Sequence, residues 1–366
     1  MQTLDVLIPS FRVDAEPLLA ALNLIVPDGL KVRWIIVVDD PTRRIPDELA
    51  ARIDDDIVRL LRNDENIGSA GSRNAALDES TADWVLFLDD DVHPRADLLI
   101  SYCEAVANNP DVVGFFGPTE FEPAASTYQR GVEVSDILTF FWIARHECTL
   151  RWAPTSNVLV RGDLARAVRF RTIFPKAGGG EDIDYLLRVS KRGHGVFHSV
   201  PSASVNHPWW FAGRRDYSRF IRWSHGDSLL HVLHPEHTYR SPPNAVEVLF
   251  VLLPVAFALS LIMKTAIPAI SLITGVILGE LVVEFVRLSR LKSAKHAIYC
   301  IETVLIRSSN DVGRLLMQIR MRRPKGLAER WDHFCNGEHV AYHKRWAVAK
   351  CVGYAAAVAL VALVLI

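Results

Sequence analysis

The sequence contains few cysteines, and their spacing gives them no evident structural use. Five occur in 366 residues, and no two of them form a C-x-x-C pair. This spacing argues against a zinc site and against a disulfide framework. We therefore expect the soluble part of the chain to lie in a reducing compartment.

Three other features are missing from the sequence. The formal net charge is −1, so bulk electrostatics give no reason to expect a nucleic-acid partner. The N-terminus lacks the basic start and the long apolar core of a signal peptide. No G-x-G-x-x-G follows the first predicted strand, which disfavours a dinucleotide-dependent oxidoreductase.

Apolar residues, in contrast, make up 50% of the chain, and their excess lies mostly after residue 244. The aspartate runs lie mostly in the first 120 residues, whereas residues 287–350 are rich in lysine and arginine. A chain of this length forms one large domain or two smaller ones. We predict a soluble domain over residues 1–235 and a membrane region over residues 236–366.

An acidic triplet follows an apolar strand in the predicted soluble domain. Residues 84–88 are all apolar and predict a buried strand, and Asp89, Asp90 and Asp91 come directly after it. Ionised carboxylates at such a place need water, a cation or a hydrogen-bond donor. Mg²⁺ and Mn²⁺ prefer oxygen ligands and often bind carboxylates together with substrate phosphates. The triplet is therefore either a metal site or an acidic turn in solvent.

Two further predicted strands end in polar residues. The first strand ends at Pro9 and Ser10, and the second ends before Asp39 and Asp40. Apolar strands that alternate with helices predict an α/β fold with a mostly parallel sheet covered on both faces. In such sheets ligands bind beyond the carboxyl ends of the strands. We therefore expect these strand ends and the acidic triplet to form one site.

The rest of this domain follows the same alternation. Hydrophobic patterns predict strands at residues 57–61, 112–117, 157–161, 193–200 and 203–207. They predict helices at residues 48–53, 72–79, 97–108 and 185–191. Residues 118–152 have only a weak pattern.

The order of the motifs resembles that of the family 2 glycosyltransferases, which have the GT-A fold. The resemblance covers roughly residues 3–230 and is carried by Ile8-Pro9-Ser10, Val38-Asp39-Asp40, Asn66-Ile67-Gly68 with Ser72-Arg73-Asn74, Asp89-Asp90-Asp91, and Gly180-Glu181-Asp182. Each motif alone is weak, but five in this order are specific. The resemblance implies a Rossmann-like GT-A domain and a nucleotide-diphospho-sugar donor.

The same resemblance assigns a set of residues to the donor. The set is Pro9, Ser10, Asp39, Asp40, Asn66, Gly68, Arg73, Asp89, Asp90, Arg219, Arg222 and Trp223. Asp39 or Asp40 would contact the base or the ribose. Arg73 would lie near the donor, and the alternative is an arginine in the first turns of a helix that forms a surface ion pair. Asp90 occupies the position that varies in the family.

The implied cofactor is Mg²⁺ or Mn²⁺. Asp91 would hold the metal on the diphosphate, and Asp89 would bind the ribose or the water shell of the metal. His207 ends a predicted strand, and in many GT-A enzymes a histidine from this region joins the metal or the diphosphate. A lone histidine can also be structural, so both interpretations of His207 stay open.

The expected chemistry also needs a base that accepts the proton of the attacking hydroxyl. Family likeness assigns this role to Asp182, with Glu181 orienting it or binding the acceptor. Both acids follow three glycines, which let the backbone come close to a sugar. They could also cap a helix that begins nearby, a role compatible with catalysis. Inversion of the anomeric centre is the usual outcome in the family.

An arginine-rich segment follows the predicted domain core. Arg219-Phe220-Ile221-Arg222-Trp223 is similar to the Q-x-x-R-W motif of processive synthases, with arginine in place of glutamine. That departure puts processivity in doubt. Arginines bind phosphate well through paired hydrogen bonds, but a basic helix face also suits anionic lipid headgroups.

Three apolar stretches in the membrane region are each long enough to cross a bilayer. We predict spans at about residues 244–263, 266–286 and 347–366, and the alternative is buried helices of a soluble domain. Residues 294–323 have apolar residues at helical spacing and predict amphipathic helices on the membrane surface. The positive-inside rule places the basic segment between the second and third spans in the cytoplasm.

These observations together predict a membrane-anchored, metal-dependent, inverting glycosyltransferase in the cell membrane, with its catalytic domain in the cytoplasm. The expected acceptor is membrane-associated, either a polyprenyl-phosphate or a lipid-linked glycan. The alternative is a polysaccharide synthase-type enzyme for exopolysaccharide or capsule assembly. A further alternative is a nucleotide-binding membrane scaffold without turnover.

Overall fold

The structure, a computed structural model, describes residues 2–291 and 294–366. The described chain divides into two compact units. The first comprises the residues up to Pro123 together with Leu138–Ala212, and the second comprises Ala124–Ile137 and Gly213–Ile366. The second unit therefore resumes at residue 213, whereas the sequence predicts a boundary at residue 235.

Strands and helices alternate along the first unit. Up to residue 121 they are β1 (Thr3–Ser10), α1 (Ala15–Leu22), β2 (Lys31–Val38), α2 (Asp47–Ala50), β3 (Val58–Arg62), α3 (Gly68–Glu79), β4 (Trp84–Leu88), β5 (His93–Pro94), α4 (Leu98–Asn108), β6 (Gly114–Phe116) and β7 (Thr119–Phe121). After α5 (Thr127–Val134), which belongs to the second unit, come α6 (Thr139–Trp142), β8 (Thr149–Leu150), β9 (Asn157–Arg161), α7 (Gly162–Ala167), α8 (Glu181–Arg192), β10 (Phe197–Ser199) and β11 (Val205–His207).

The central sheet has eight strands in the order β3-β2-β1-β4-β9-β6-β10-β8. The pairs β3–β2, β2–β1, β1–β4 and β6–β10 are parallel. Strand β9 runs antiparallel to both of its neighbours, β4 and β6. The predicted α/β fold with a mostly parallel sheet is therefore confirmed. A second, three-stranded sheet has the order β5-β11-β7.

The register of the parallel strands explains why their polar ends meet. Ser10 pairs with Val38, which places Asp39 beside the end of β1. Leu7 pairs with Phe87, so Ser10 lies level with Asp90, three residues further along each strand. All side chains of β4 are buried, because the strand has neighbours on both edges and helices on both faces. The apolar runs thus hold the acidic ends at one edge of the sheet.

Two helices begin earlier than the sequence pattern predicts. Helix α8 begins at Glu181 rather than near Tyr185, and α3 begins at Gly68 rather than near Ser72. The first turn of α8 is acidic and not apolar, so it contributes no hydrophobic period to the prediction. The consequence for the site is that Glu181 and Asp182 lie in the first turn of a helix.

The second unit is mainly helical. Besides α5 it contains α9 (Ser218–Leu233), β12 (Thr238–Arg240), α10 (Ala245–Met263), α11 (Ile267–Leu291), α12 (Cys300–Arg320), β13 (Glu329–Trp331) and α13 (Val340–Leu365). Helices α10, α11 and α13 have apolar windows with mean hydropathies of 2.5, 2.1 and 2.2, and each is long enough to cross a membrane. Helix α13 begins seven residues before the predicted span at 347.

Helices α11 and α13 pack closely through glycines. Gly275 lies against Val358, and a Cβ atom built on Gly279 would lie 2.8 Å from the carbonyl carbon of Gly353. Such small residues allow the backbones of membrane helices to approach one another. The pairing of Gly275 with Val358 and of Gly279 with Gly353 shows that the two helices run antiparallel. The end of α11 and the start of α13 therefore lie on the same side.

The carboxylates inside α11 have cationic partners. Glu280 contacts Lys350 and accepts a hydrogen bond from Tyr354, both on α13. Glu284 accepts a hydrogen bond of 2.6 Å from Arg287 and is fully buried. Charged groups at membrane depth are tolerated when they are paired and face other helices. These pairs reconcile the two glutamates with a membrane-spanning helix.

Gly279→Leu should disrupt the α11–α13 interface. The added side chain would enter the backbone of α13, and overpacking of this kind typically costs about 1–3 kcal/mol. The measurement is the thermal midpoint of the detergent-solubilised protein. The matched control is Ala355→Leu, an exposed position of α13, which should change the midpoint little. Equal midpoints for the two variants would contradict the close glycine contact.

Candidate active site

Asp90 stabilises the turn that follows β1 through hydrogen bonds. It is buried, and its Oδ2 atom accepts hydrogen bonds from Ser10 Oγ at 2.9 Å, from the Phe11 amide at 3.2 Å and from the Arg12 amide at 3.3 Å. Its Oδ1 atom accepts a hydrogen bond of 2.5 Å from Arg12 Nη2. The family-variable position of the triplet therefore serves here to fix the loop between β1 and α1, beside Pro9.

Asp39 stabilises the loop before α3 through hydrogen bonds. Its Oδ1 atom accepts hydrogen bonds of 2.8 Å from the Ile67 amide and from Asn63, and its Oδ2 atom accepts one of 2.8 Å from the Gly68 amide. Gly68 has a φ of +79°, and a Cβ atom there would lie 2.7 Å from the Cα of Lys176. Only glycine fits this turn without displacing the neighbouring backbone.

Asp40 and Asn66 lie at the outer side of the same edge. Asp40 accepts a hydrogen bond from the Thr42 hydroxyl at 2.7 Å, and this bond and that of the Thr42 amide hold the pKa of Asp40 below its ordinary value. Asn66 is exposed, and its side-chain oxygen accepts a hydrogen bond from the Gly68 amide at 3.1 Å. Both residues border the loop that Asp39 holds.

Arg73 joins the acidic triplet to the glycine-rich turn. It lies on α3, is 4% exposed, and donates one hydrogen bond of 2.8 Å to Asp89 and one of 3.0 Å to Glu181. Its guanidinium also lies 5.6 Å from the ring centroid of Phe170. Burial raises the pKa of Asp89, and the charge of Arg73 opposes that shift. Arg73 thus compensates two carboxylates that lie 92 residues apart in sequence.

Glu181 positions the turn from which Asp182 projects. Its carboxylate also accepts hydrogen bonds from Ser69 Oγ at 3.0 Å and from the Gly179 amide at 2.6 Å. Gly178, Gly179 and Gly180 all have positive φ angles, at which an L-residue with a side chain would be strained. The carboxylate of Glu181 is therefore engaged in hydrogen bonds, and those from Ser69 and Arg73 connect α8 to α3.

Asp182 is the less constrained acid of the pair. It is half-buried, and it accepts a hydrogen bond of 2.8 Å from the Ile183 amide. Burial and the negative charge of Glu181 raise the pKa of Asp182 to about 7. A carboxyl group with a pKa near neutrality can accept a proton and is suited to general-base catalysis at physiological pH.

Asp91 and His207 face one another across the site. His207 Nε2 lies 3.3 Å from Asp91 Oδ1, and His207 Nδ1 lies 2.6 Å from the carbonyl oxygen of Pro208. Because a carbonyl oxygen accepts only, Nδ1 donates to Pro208, and Nε2 is the ring nitrogen directed at Asp91. The Phe121 ring stacks on His207 with centroids 4.9 Å apart and fixes the imidazole plane.

This pair fits two ligand positions of a divalent cation. In octahedral Mg²⁺ coordination, bonds of about 2.1 Å place neighbouring ligand atoms about 3.0 Å apart, close to the distance in this pair. Among the described residues, no group of three His, Cys, Asp or Glu side chains could hold a metal ion. The predicted set of Asp89, Asp91 and His207 is therefore not assembled as three ligands, since Asp89 binds Arg73.

The remaining predicted donor residues lie in the second unit. Arg219, Arg222 and Trp223 are on α9, where the Arg219 guanidinium lies 5.7 Å from the Trp223 ring centroid and Arg222 donates a hydrogen bond of 2.9 Å to Ser218. Their assignment to the donor stays a prediction. The sequence analysis missed Arg12, which contacts Asp90 and also lies 2.7 Å from Asp91. A cation two residues beyond the first strand end was the available signal.

The fold and the site define a class of protein. A mostly parallel α/β sheet with acids at its carboxyl edge, together with an acid after a glycine-rich turn, is similar to the arrangement in GT-A glycosyltransferases. Residues 5–158 match the family model described as glycosyl transferase family 2. This part of the chain is therefore similar to the family 2 glycosyl transferases.

Two curated relatives and one solved structure extend this result. The chain is 31% identical over 212 residues to the succinoglycan biosynthesis protein ExoM of Rhizobium meliloti (strain 1021), covering 54% of this chain and 65% of that protein. It is 30% identical over 122 residues to an uncharacterized glycosyltransferase of Haemophilus influenzae, covering 32% of this chain and 40% of that protein. The chain thus spans less than two thirds of the length of either relative.

The solved structure is that of the mannosyltransferase PcManGT from Pyrobaculum calidifontis in complex with GDP-Man and Mn²⁺. It is 16% identical to this chain, covers 85% of this chain and 86% of its own, and superimposes with a TM-score of 0.51. At this level of identity the likeness supports the fold.

The rate of glycosyl transfer should rise with pH through about 7. Asp182 accepts a proton only when ionised, and its pKa of about 7 leaves it largely protonated at lower pH. Glu181→Gln removes the neighbouring negative charge and should move the half-maximal pH downward. The measurement is kcat/KM against pH, with Glu104→Gln, an exposed acid of α4, as the matched control. A profile that Glu181→Gln leaves unmoved would contradict this origin of the shift.

Proposed function

We propose that the protein is a membrane-anchored, metal-dependent, inverting glycosyltransferase that moves a sugar from a nucleotide-diphospho-sugar to a membrane-associated acceptor. The observation that carries the proposal is the arrangement around Arg73. This one buried side chain holds Asp89, next to the Asp91–His207 pair, and Glu181, next to Asp182. Arg73 thus connects the proposed leaving-group site at Asp91 to the proposed base, Asp182.

The donor would lie along the carboxyl edge of β1, β2 and β4. An open pocket of about 350 Å³ is lined by Arg62, Asn63, Asp64, Glu65 and Ile67. Asn63 and Ile67 both bind Asp39, so this pocket adjoins the predicted base or ribose contact. The diphosphate would then extend toward Asp91, where His207 and Asp91 would hold the cation. A bound Mg²⁺ or Mn²⁺ would neutralise the charge that develops on the leaving diphosphate.

Asp182 would take the proton from the acceptor hydroxyl. Its half-buried carboxyl, which accepts a hydrogen bond from the Ile183 amide, and its raised pKa both suit this role. Glu181 acts as a positioning residue, because its oxygens already accept hydrogen bonds from α3 and from the glycine turn. With one base and no second nucleophile in the proposal, the displacement is single and the anomeric configuration inverts.

The acceptor is proposed to be a polyprenyl-phosphate or a lipid-linked glycan, because the three apolar helices are long enough to anchor the chain in a membrane. A second candidate is assembly of an exopolysaccharide or capsule by a synthase-type enzyme. The relative named as a succinoglycan biosynthesis protein favours this candidate. The two candidates share the donor site and differ in what Asp182 deprotonates.

Helix α12 is proposed to lie in the membrane surface. Four large apolar side chains fall within about 60° of its circumference and are exposed. They are Ile301, Leu305, Leu316 and Ile319. Another face of the helix packs inside the unit, where Gly313 lies against Ile221 of α9. An exposed apolar stripe between two apolar spans is typical of an interfacial helix.

The orientation follows from the antiparallel helices. The end of α11 and the start of α13 lie on one side, together with the basic segment that joins them, and we propose that this side is the cytoplasm. The end of α13 then lies outside.

Reporter fusions test this topology. Alkaline phosphatase fused after Ile366 should be active, and the same enzyme fused after Leu291 should be inactive, because phosphatase folds only outside the cytoplasm. Green fluorescent protein at the same two positions is the reciprocal control and should give the opposite pattern. Phosphatase activity at Leu291 but not at Ile366 would place the basic segment outside and contradict the proposal.

Asp182→Asn should lower the rate of sugar transfer by about 10²–10⁴-fold, the usual contribution of a general base. Asp91→Asn should also lower the rate, because it weakens the proposed metal site. The assay offers UDP-, GDP- and dTDP-sugars with Mg²⁺ or Mn²⁺ and extracted lipid to the purified protein. The matched control is Asp28→Asn, an exposed position. Full activity in both site variants would refute the site and favour a scaffold without turnover. Transfer without any divalent metal would refute the role of Asp91.

A further inference from the structure

We propose that Arg12 is a phosphate-binding residue of the donor site that holds Asp91 until the cation and the nucleoside diphosphate arrive together. The proposal rests on the proposed function, because it takes Asp91 as the metal-binding acid. It adds a residue that the family motifs do not include, and it makes donor and cation binding depend on one another.

One nitrogen of Arg12 bridges two acids of the triplet. Arg12 Nη2 lies 2.5 Å from Asp90 Oδ1 and 2.7 Å from Asp91 Oδ2, while Arg12 Nε lies 3.8 Å from Asp14. The Arg12 amide is itself fixed by Asp90, so the start of the side chain is anchored. The guanidinium therefore stands as a positive charge directly against the carboxylate proposed to bind metal.

A divalent cation and this guanidinium compete for the same carboxylate. The cation would need Asp91 at bonding distance, and His207 already lies on the other oxygen of Asp91. Two positive charges that close repel one another, so cation binding favours release of Arg12 from Asp91. The side chain of Arg12 is 45% exposed, so its tip has room to turn. The turn gives up the bond to Asp90, which keeps its hydrogen bonds from Ser10 Oγ and from the Phe11 and Arg12 amides.

The diphosphate offers a new partner for the released guanidinium. A guanidinium presents several N–H donors in a planar fork that matches phosphate oxygens. The diphosphate would meet the cation beside Asp91, within reach of a side chain that starts on the adjacent β1–α1 turn. Arg12 would thus exchange a carboxylate for a phosphate, and its charge would oppose binding of the cation alone but favour binding of cation and donor together.

This exchange predicts effects of opposite sign on two ligands. In Arg12→Gln the competitor is gone, so Mn²⁺ in the absence of nucleotide should bind several-fold more tightly than to the wild type. UDP or GDP in saturating Mn²⁺ should bind about tenfold more weakly or worse, because a charged hydrogen bond to phosphate is lost. Free Mn²⁺ is followed by electron paramagnetic resonance, and nucleotide binding by calorimetry, on the full-length protein in detergent.

Two further variants keep the test decisive. Arg44→Gln, an exposed arginine paired with Asp47, should change neither affinity. Arg12→Lys keeps the charge, so its affinity for Mn²⁺ alone should stay near that of the wild type. A local collapse of the β1–α1 turn in Arg12→Gln would weaken both ligands, and that result overturns the proposal.

Mn²⁺ binding by Arg12→Gln that is no tighter than in the wild type also overturns the proposal, as does an unchanged affinity for nucleotide. Failure here is distinguishable from failure of the proposed function. If the wild type transfers sugar and the two affinities do not move in opposite directions, the role of Arg12 is wrong and the glycosyltransferase stands. If the wild type neither binds nucleotide nor transfers sugar, the proposed function itself is wrong.

Discussion

The site depends on one buried cation, Arg73, held between Asp89 and Glu181. The three groups come from α3, from the end of β4 and from the start of α8, and no other contact described above joins all three elements. Removing one member of a buried ion pair leaves the partner charge uncompensated, which typically costs about 3–5 kcal/mol. The energetic consequence is that neither half of the site can move without the other. A rigid frame of this kind keeps the proposed base and the proposed leaving-group site at a constant separation.

The frame also divides the acids into two kinds. Asp39, Asp90 and Glu181 are buried and use their oxygens to hold turns, whereas Asp91 and Asp182 keep part of their surface open. Acids that hold turns need several donors around them, and in this site backbone amides supply half of those donors. Acids that do chemistry need surface that a ligand can reach or a shifted pKa. The structure therefore suggests which members of each acidic motif build the site and which act in it.

The convergence of the strand ends could be predicted from sequence because parallel strands place their carboxyl ends at one edge, and the apolar runs before Asp39 and Asp89 identify the strands. The bridge through Arg73 could not, because its partners lie 16 and 108 residues away and an arginine early in a helix has many possible partners. The early start of α8 could not be predicted from sequence for a different reason. Its first turn follows Gly180 in a left-handed conformation and carries acids, so no hydrophobic period marks it. Arg12 was missed because a single arginine two residues beyond the end of a strand is a weak signal on its own.

In the proposed reaction, Asp182 serves a single displacement at a nucleotide-sugar donor. The anomeric configuration of the product tests this claim most directly. The protein is supplied with the donor that it accepts, and the new glycosidic bond is assigned from its one-bond carbon–hydrogen coupling by nuclear magnetic resonance. A single displacement assisted by one base predicts inversion, so an α-linked donor yields a β-linked product. Retention of the donor configuration would contradict the account, because it requires a second displacement or a front-side reaction that Asp182 as a base does not provide.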